Sequence, residues 1–259
     1  MDQLRVQVLV ERIYFGIPLL DHLLYKGFPK DSLIVFSGPI GVGKSFLLKL
    51  MLLSRLSKNE NIVIVSFDND PLDVVSPLIK VNPGFVKQIA IVDGFGAGKE
   101  LPKELSVVRL EEANVDYILA VIEQLIKEVH QCNVGMVAID SMNELFLRMD
   151  PSLALNFVKS LKRMARKYEL TITAVYHSGI SGFEQIESLI YYVADGVIIL
   201  DYDPKFEEIG LPLRRIRIVK LRDTGHHINW VPFQITDKGL EIVDVKSLLS
   251  KILKATREA

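Results

Sequence analysis

A single cysteine, Cys132, stands among 259 residues. A disulfide framework is excluded, a cysteine-rich zinc module lacks its ligands, and a reducing cytoplasm is the expected compartment. No apolar run approaches the length needed to span a membrane. The opening Met1-Asp2-Gln3-Leu4-Arg5 is charged and no hydrophobic region follows it, so no signal peptide is expected. An excess of either charge is missing too. With 31 basic and 32 acidic residues the formal net charge is −1. Bulk attraction to nucleic acid or a membrane surface is therefore not expected, and a local patch is the one remaining route. Low-complexity composition is absent: 49% hydrophobic against 24% charged residues describes a chain that buries a core. Its length suits one α/β domain over residues 1–259, burying about 75% of the surface of the unfolded chain.

What the sequence does contain is alternation. Apolar runs at Leu33–Phe36, Ile62–Val65, Ile89–Val92, Met136–Ile139 and Thr171–Tyr176 read as strands buried on both faces. Between them lie helical patterns: one after Gly43 through Phe46, Leu47, Leu50, Met51 and Leu53, then Pro71 to Ile79, Asn114 to His130, and Pro151 to Tyr168. A strand at Val6–Val10 and a helix from Pro18 through Leu19, Leu20, Leu23 and Leu24 precede this series. Strand–helix alternation predicts a parallel sheet covered by helices. The ending differs. Gly196–Leu200, Arg215–Leu221 and Trp230–Ile235 read as strands without helices between them, which predicts an antiparallel extension at one sheet edge. Asp237-Lys238-Gly239 reads as a turn, and Val245 to Lys254 as a closing amphipathic helix.

Gly38-Pro39-Ile40-Gly41-Val42-Gly43-Lys44-Ser45 matches G-x-x-x-x-G-K-[ST] at every fixed position, and it joins an expected strand to an expected helix. The glycines let backbone amides turn toward phosphate oxygens, and the helix that follows adds the positive end of its dipole. Lys44 is expected at the β- and γ-phosphates and Ser45 on Mg²⁺. The alternative for such a stretch is an ordinary glycine-rich turn. Asp140 closes an apolar strand, the place of a carboxylate that holds Mg²⁺ through water. The expected nucleotide contacts are thus Gly38, Pro39, Ile40, Gly41, Val42, Gly43, Lys44, Ser45 and Phe46, with Ser45 and Asp140 on the metal. The long interval from Ser45 to Asp140 leaves room for strand–helix units that a compact nucleoside kinase less often has. Gly94-Phe95-Gly96-Ala97-Gly98 is glycine-rich, but Lys99 is followed by Glu100, and it reads as a flexible loop.

Several motifs together resemble the KaiC-like branch of the RecA superfamily. Gly16-Ile17-Pro18-Leu19-Leu20-Asp21 resembles that family's opening G-I-P-x-L-D. Gly27-Phe28-Pro29-Lys30-Asp31-Ser32 resembles its entry into the first core strand, with Asp31 in place of the usual glycine. Asp140-Ser141, Ala194-Asp195-Gly196-Val197-Ile198, and Lys220-Leu221-Arg222 followed by His226 match three further family stretches. The resemblance runs from Gly16 to about Gly239. It implies a RecA-like P-loop NTPase core binding ATP and Mg²⁺ at subunit interfaces of a homo-oligomer, often a hexameric ring. It also implies that Lys220 and Arg222 reach the γ-phosphate held by a neighbouring subunit. On a strand these two cations share one face, which suits phosphate or carboxylates. A solvated edge strand blunted by charge gives the same pattern.

The family normally ends the strand after the phosphate-loop helix in a glutamate pair, one member of which activates the attacking water. Here Asp68-Asn69 stand in that place. Asp68 is either a weakened base, one methylene short, or no catalytic residue at all. Asn69 orients water but takes no proton at neutral pH. Asp70 is a reserve base, though its position before Pro71 suits a helix cap better. His177 ends the strand after Asp140's, where RecA-like proteins carry a polar sensor of the γ-phosphate; a lone histidine there also serves structure. His226 and His227, adjacent on a strand, point to opposite faces and do not share a metal ion.

Lys159, Lys162, Arg163, Arg166 and Lys167 form a basic helical face opposite Phe157, Leu161, Met164 and Tyr168. Such a face is either solvated or a contact for nucleic acid or an acidic partner. The segment Ser178 to Leu189, where recombinases carry a DNA-binding loop, has Glu184 and Glu187 and no basic residue, so nucleic acid is not the expected partner. The expectation is a cytoplasmic, oligomeric Mg-ATP-binding protein that hydrolyses ATP slowly, the nucleotide controlling assembly or an unidentified protein partner. The alternatives are an ATP-dependent switch without turnover and a DNA-repair accessory ATPase.

Overall fold

The apolar runs become the middle of one sheet in the computed structural model, which describes residues 11–96, 98–111, 114–130, 133–147, 149–237 and 239–250. The strand expected at Val6–Val10, Cys132 and the closing helix beyond residue 250 lie outside the described residues.

In chain order the elements are β1 (Arg12–Ile13), α1 (Pro18–His22), β2 (Phe28–Pro29), β3 (Leu33–Gly38), α2 (Lys44–Leu56), β4 (Asn61–Ser66), α3 (Pro71–Val81), β5 (Ile89–Asp93), β6 (Ser106–Arg109), α4 (Val115–His130), β7 (Val134–Asp140), α5 (Asn143–Phe146), α6 (Pro151–Lys167), β8 (Thr171–His177), α7 (Glu184–Val193), β9 (Gly196–Tyr202), α8 (Pro204–Glu207), β10 (Arg214–Leu221), β11 (Val231–Thr236) and β12 (Gly239–Ile242). Ten strands form one sheet in the order β12-β11-β10-β9-β3-β8-β7-β4-β5-β6. From β9 to β6 every pairing is parallel. β10, β11 and β12 add on antiparallel at the β9 side. This is the mostly parallel α/β sheet with an antiparallel edge that the sequence predicts.

β3, β4 and β7 are buried at every position. Successive residues serve opposite layers: Leu33 and Val35 pack with α4, α6 and α7, while Ile34 and Phe36 pack with α1, α2 and α3. The helix starts are written in the sequence. Asp150 accepts hydrogen bonds from the Ser152 and Leu153 amides ahead of Pro151, and Phe157, Leu161 and Met164 turn the buried stripe of α6 inward. Replacing such a cap costs about 1 kcal/mol. Asp150→Ala is accordingly expected to lower the thermal midpoint by a few degrees, measured by calorimetry, without altering nucleotide binding.

Some elements differ from expectation. The first helix ends at His22, because Leu24 pairs with His226 and the Tyr25 amide bonds to the Gly225 carbonyl. β6 and β12 are four-residue edge strands, too short and too exposed to stand out as apolar runs. Ser178 to Leu189 is not all loop: α7 begins at Glu184 and buries Ile186, Ile190 and Val193. The short α8 separates β9 from β10. Arg222 lies one residue past the end of β10, and the β9–β10 register shifts between Ile218 and Lys220. Among the described residues no helix is long and apolar enough to cross a membrane.

Candidate functional site

The register of the sheet assembles the site. Gly38 pairs with His177 at the carboxyl ends of β3 and β8, and Ser66 pairs with Asp140 at the same ends of β4 and β7. In an open α/β sheet that edge is where ligands bind.

Gly38 opens the phosphate loop where two backbones nearly touch. A Cβ there would lie 2.1 Å from the Leu200 carbonyl oxygen, so no other residue fits. Gly43 caps α2 with φ 110°, a left-handed conformation, and a Cβ there would meet Ile235 Cδ1 at 2.8 Å. Val42 is buried and anchors the loop in the core, whereas Ile40 is 74% exposed at its tip. Pro39 and Phe46 are half-buried and Gly41 is exposed.

Lys44 is 3% exposed, and its ammonium donates to the carbonyls of Gly38 and Pro39 at 2.8 and 2.7 Å. Burial lowers its pKa to about 8, with attraction to Asp140 opposing, so it stays cationic at neutral pH. Ser45 Oγ donates to Asp140 Oδ1 at 3.0 Å. Asp140 is buried; desolvation raises its pKa, and the Ser45 hydrogen bond is the largest effect holding it down. The structure thus brings Lys44, Ser45 and Asp140 together as their spacing predicts.

Asp68 lies two residues past β4, and its carboxylate accepts hydrogen bonds from the Ser141 hydroxyl and, at 3.2 Å, from the Glu144 amide. Burial raises its pKa, and those two hydrogen bonds pull the other way. Two lone-pair positions are thereby used, leaving others for a water. Asn69 takes the Ser66 hydroxyl on its carbonyl at 2.6 Å. Asp70 caps α3 through the Leu72 amide and also accepts from the Lys99 amide, each at 2.9 Å. The cap is therefore what Asp70 does here.

His177 reaches the same edge. Its Nδ1 is buried with no hydrogen-bond partner, and burial, with the Lys44 charge, lowers its pKa to about 4. The ring is therefore neutral at pH 7. Asn143, which belongs to none of the sequence motifs, brackets the His177 backbone: its Oδ1 accepts from the His177 amide at 2.7 Å and its Nδ2 donates to the His177 carbonyl at 3.0 Å. Tyr191 was also missed; its hydroxyl meets Ser37 Oγ and Glu187 Oε1, both at 2.7 Å. The available signal for Asn143 was an amide side chain two residues after Asp140-Ser141.

Lys220 and Arg222 are not at this edge. Leu221 pairs with Gly196, and Gly196 pairs with Ile34 near the start of β3. Gly38 lies four strand steps beyond Ile34, about 13 Å at 3.3 Å per residue. In this chain Lys220 donates to the Tyr191 and Tyr192 carbonyls, at 2.9 and 3.0 Å, and Arg222 pairs with Asp195. His226 Nδ1 meets the Thr224 carbonyl at 2.8 Å while His227 packs edge-on against Tyr25, so the two do not converge. Part of the basic face of α6 is ion-paired within the chain: Lys162 and Arg166 share Asp195, and Lys167 pairs with Glu123.

A glycine loop between strand and helix, a buried lysine within it, and a serine–aspartate pair on a RecA-like sheet define a nucleotide-binding P-loop ATPase. The family model for the KaiC ATPase matches residues 13–247. The chain belongs to that family. A UPF0273 protein of Thermotoga maritima is 31% identical, with 90% of this chain and 96% of the relative covered. A UPF0273 protein of Aeropyrum pernix is 32% identical, covering 90% and 93%. The crystal structure of a KaiC-like protein from Pyrococcus horikoshii shares the fold with a TM-score of 0.70 at 21% identity, covering 90% of this chain and 99% of that one.

Proposed function

We propose that the whole chain, 1–259, is one Mg-ATP-dependent ATPase unit acting in the cytoplasm as a homo-oligomer. ATP is hydrolysed slowly at subunit interfaces, and the bound nucleotide controls assembly or an unidentified protein partner. The observation that carries this reading is the Ser45–Asp140 hydrogen bond next to the buried Lys44 ammonium. Ser45 and Asp140 supply hard oxygen donors of the kind Mg²⁺ accepts, and the remaining positions suit water and phosphate oxygens. When bound, Mg²⁺ would neutralise charge on the phosphates. Lys44 would exchange its two carbonyl partners for phosphate oxygens, and neutral His177 would face the terminal phosphate.

Asp68 takes the water-activating place. Held by Ser141 and the Glu144 amide, it keeps one orientation, but its reach is short, and turnover below the ~10 s⁻¹ median of enzymes is expected. Removing a positioned general base costs ~10²–10⁴-fold. From this slow start, Asp68→Asn is expected to lower steady-state phosphate release at least about tenfold, with ATP affinity within twofold of wild type. Undiminished turnover in Asp68→Asn would mean that Asp68 is not the base, whereas an absence of phosphate release from the wild type would transfer the chain to the second reading, a nucleotide switch that does not hydrolyse. That reading draws its support from the same two hydrogen bonds, which occupy Asp68. The repair-accessory reading needs the basic face of α6 for DNA, and it is weaker because Lys162, Arg166 and Lys167 are already ion-paired within the chain.

A further inference from the structure

Asp195, between α7 and β9, is 2% exposed, and a buried carboxylate persists only if paired. Its Oδ1 lies 2.7 Å from Lys162 Nζ, 3.3 Å from an Arg166 nitrogen and 3.7 Å from an Arg222 nitrogen, while Oδ2 accepts from the Leu33 amide at 3.2 Å. Lys220 stands in the same group: burial lowers its pKa, the charges of Arg222 and Lys162 lower it further, and Asp195 pulls it up. Three cations thus share one carboxylate with Lys220 close enough to feel its charge, and the group as a whole invites another anion.

The cations are not held alike. Lys162 has a 17% exposed side chain and also donates to the Val193 carbonyl at 3.0 Å, so it is fixed from two sides. Arg222 has a 45% exposed side chain and the longest of the three ion pairs. An exposed pair of that length is weak, and a guanidinium gains more from two parallel bonds to a phosphate. Its backbone, in contrast, is pinned, because the Arg222 amide donates to the Asp195 carbonyl at 2.9 Å. If the Arg222 side chain swings away, Lys162 and Arg166 keep Asp195 compensated, and no unpaired buried charge is left behind.

We propose that Asp195 is a positioning residue: a latch that stores and aims Arg222 for the phosphate of a neighbouring subunit, while Lys162 and Arg166 make its release inexpensive. This rests on the interfacial reading above and assigns the α6 cations a role within it. Asp195 touches neither the phosphate nor the water; it acts through Arg222, and only in the subunit that donates the arginine.

The test uses full-length chains in mixed assemblies. Arg222→Ala subunits keep a working phosphate loop, and Lys44→Ala subunits donate the arginine. Phosphate release from the mixture is compared when Asp195→Asn is added to the donor or to the recipient, with assembly confirmed by mass and folding by thermal midpoint. Expected is a loss of about tenfold for the donor placement and less than twofold for the recipient placement, the rate of a step that depends on a supplied arginine. Should Asp195→Asn fail to assemble, Arg166→Gln, at a half-exposed position, replaces it in the donor; it tightens the hold of Asp195 on Arg222, and a loss of about threefold is expected. Equal losses in both placements, or none in the donor, overturn the latch while leaving the interfacial reading intact. An absence of rescue with unaltered Lys44→Ala donors overturns both.

Discussion

Lys44→Ala is expected to abolish tight ATP binding and leave the fold in place. The ammonium sits buried among the phosphate-loop carbonyls, and the charge of Asp140 acts on it. Its loss removes the charge that offsets the β- and γ-phosphates. A weakening of at least 100-fold is expected, ~2.7 kcal/mol. The fold bears the change well for a physical reason. Lys44 contributes two hydrogen bonds but also the desolvation of a charged group, and these oppose each other. Calorimetric titration with ATP checks the first half and thermal unfolding the second. Undiminished affinity in the variant would remove the central claim.

The loop and its partners were legible because each is local or periodic. A glycine–lysine–serine motif between an apolar run and an amphipathic helix fixes Lys44 and Ser45 by chain geometry alone. Asp140 follows from the same logic, as the last residue of a fully buried strand. What sequence could not rank was the surroundings of Asp68. Its pairing with Ser141 joins positions far apart in the chain, and only the β4–β7 register brings them together. Asn143 and Tyr191 act by the same long-range route, through the His177 backbone and Ser37. The basic face of α6 shows the opposite limit. Helical spacing shows which side chains share a face, but not that the buried Asp195, just before β9, pairs with two of them. β6 was hidden because a four-residue, largely exposed edge strand leaves no apolar run.

The second large effect concerns Lys220 and Arg222, which lie near the starts of β3 and β9 rather than at the phosphate-loop edge. Within one subunit they are about 13 Å of strand away from Gly38. If they complete a neighbour's site, Arg222→Ala should cut turnover while each subunit's own grip on ATP stays near wild type. An arginine supplied to a phosphoryl transfer is worth ~10³–10⁵ in rate, and the slow baseline expected with Asp68 compresses that. A loss of about 100-fold is therefore expected. Mixing decides between a neighbour's site and the chain's own. Arg222→Ala and Lys44→Ala subunits are each inactive alone, one for want of the arginine and the other for want of ATP. In a mixed ring, an Arg222→Ala loop beside a Lys44→Ala neighbour has every part again. Phosphate release should rise above that of either variant, pass through a maximum as the ratio is varied, and vanish on dilution below the assembly threshold. If mass measurement confirms mixed assemblies and no ratio restores activity, Lys220 and Arg222 serve their own subunit, tying down the end of α7 and the start of β9, and the site must be whole within a single chain.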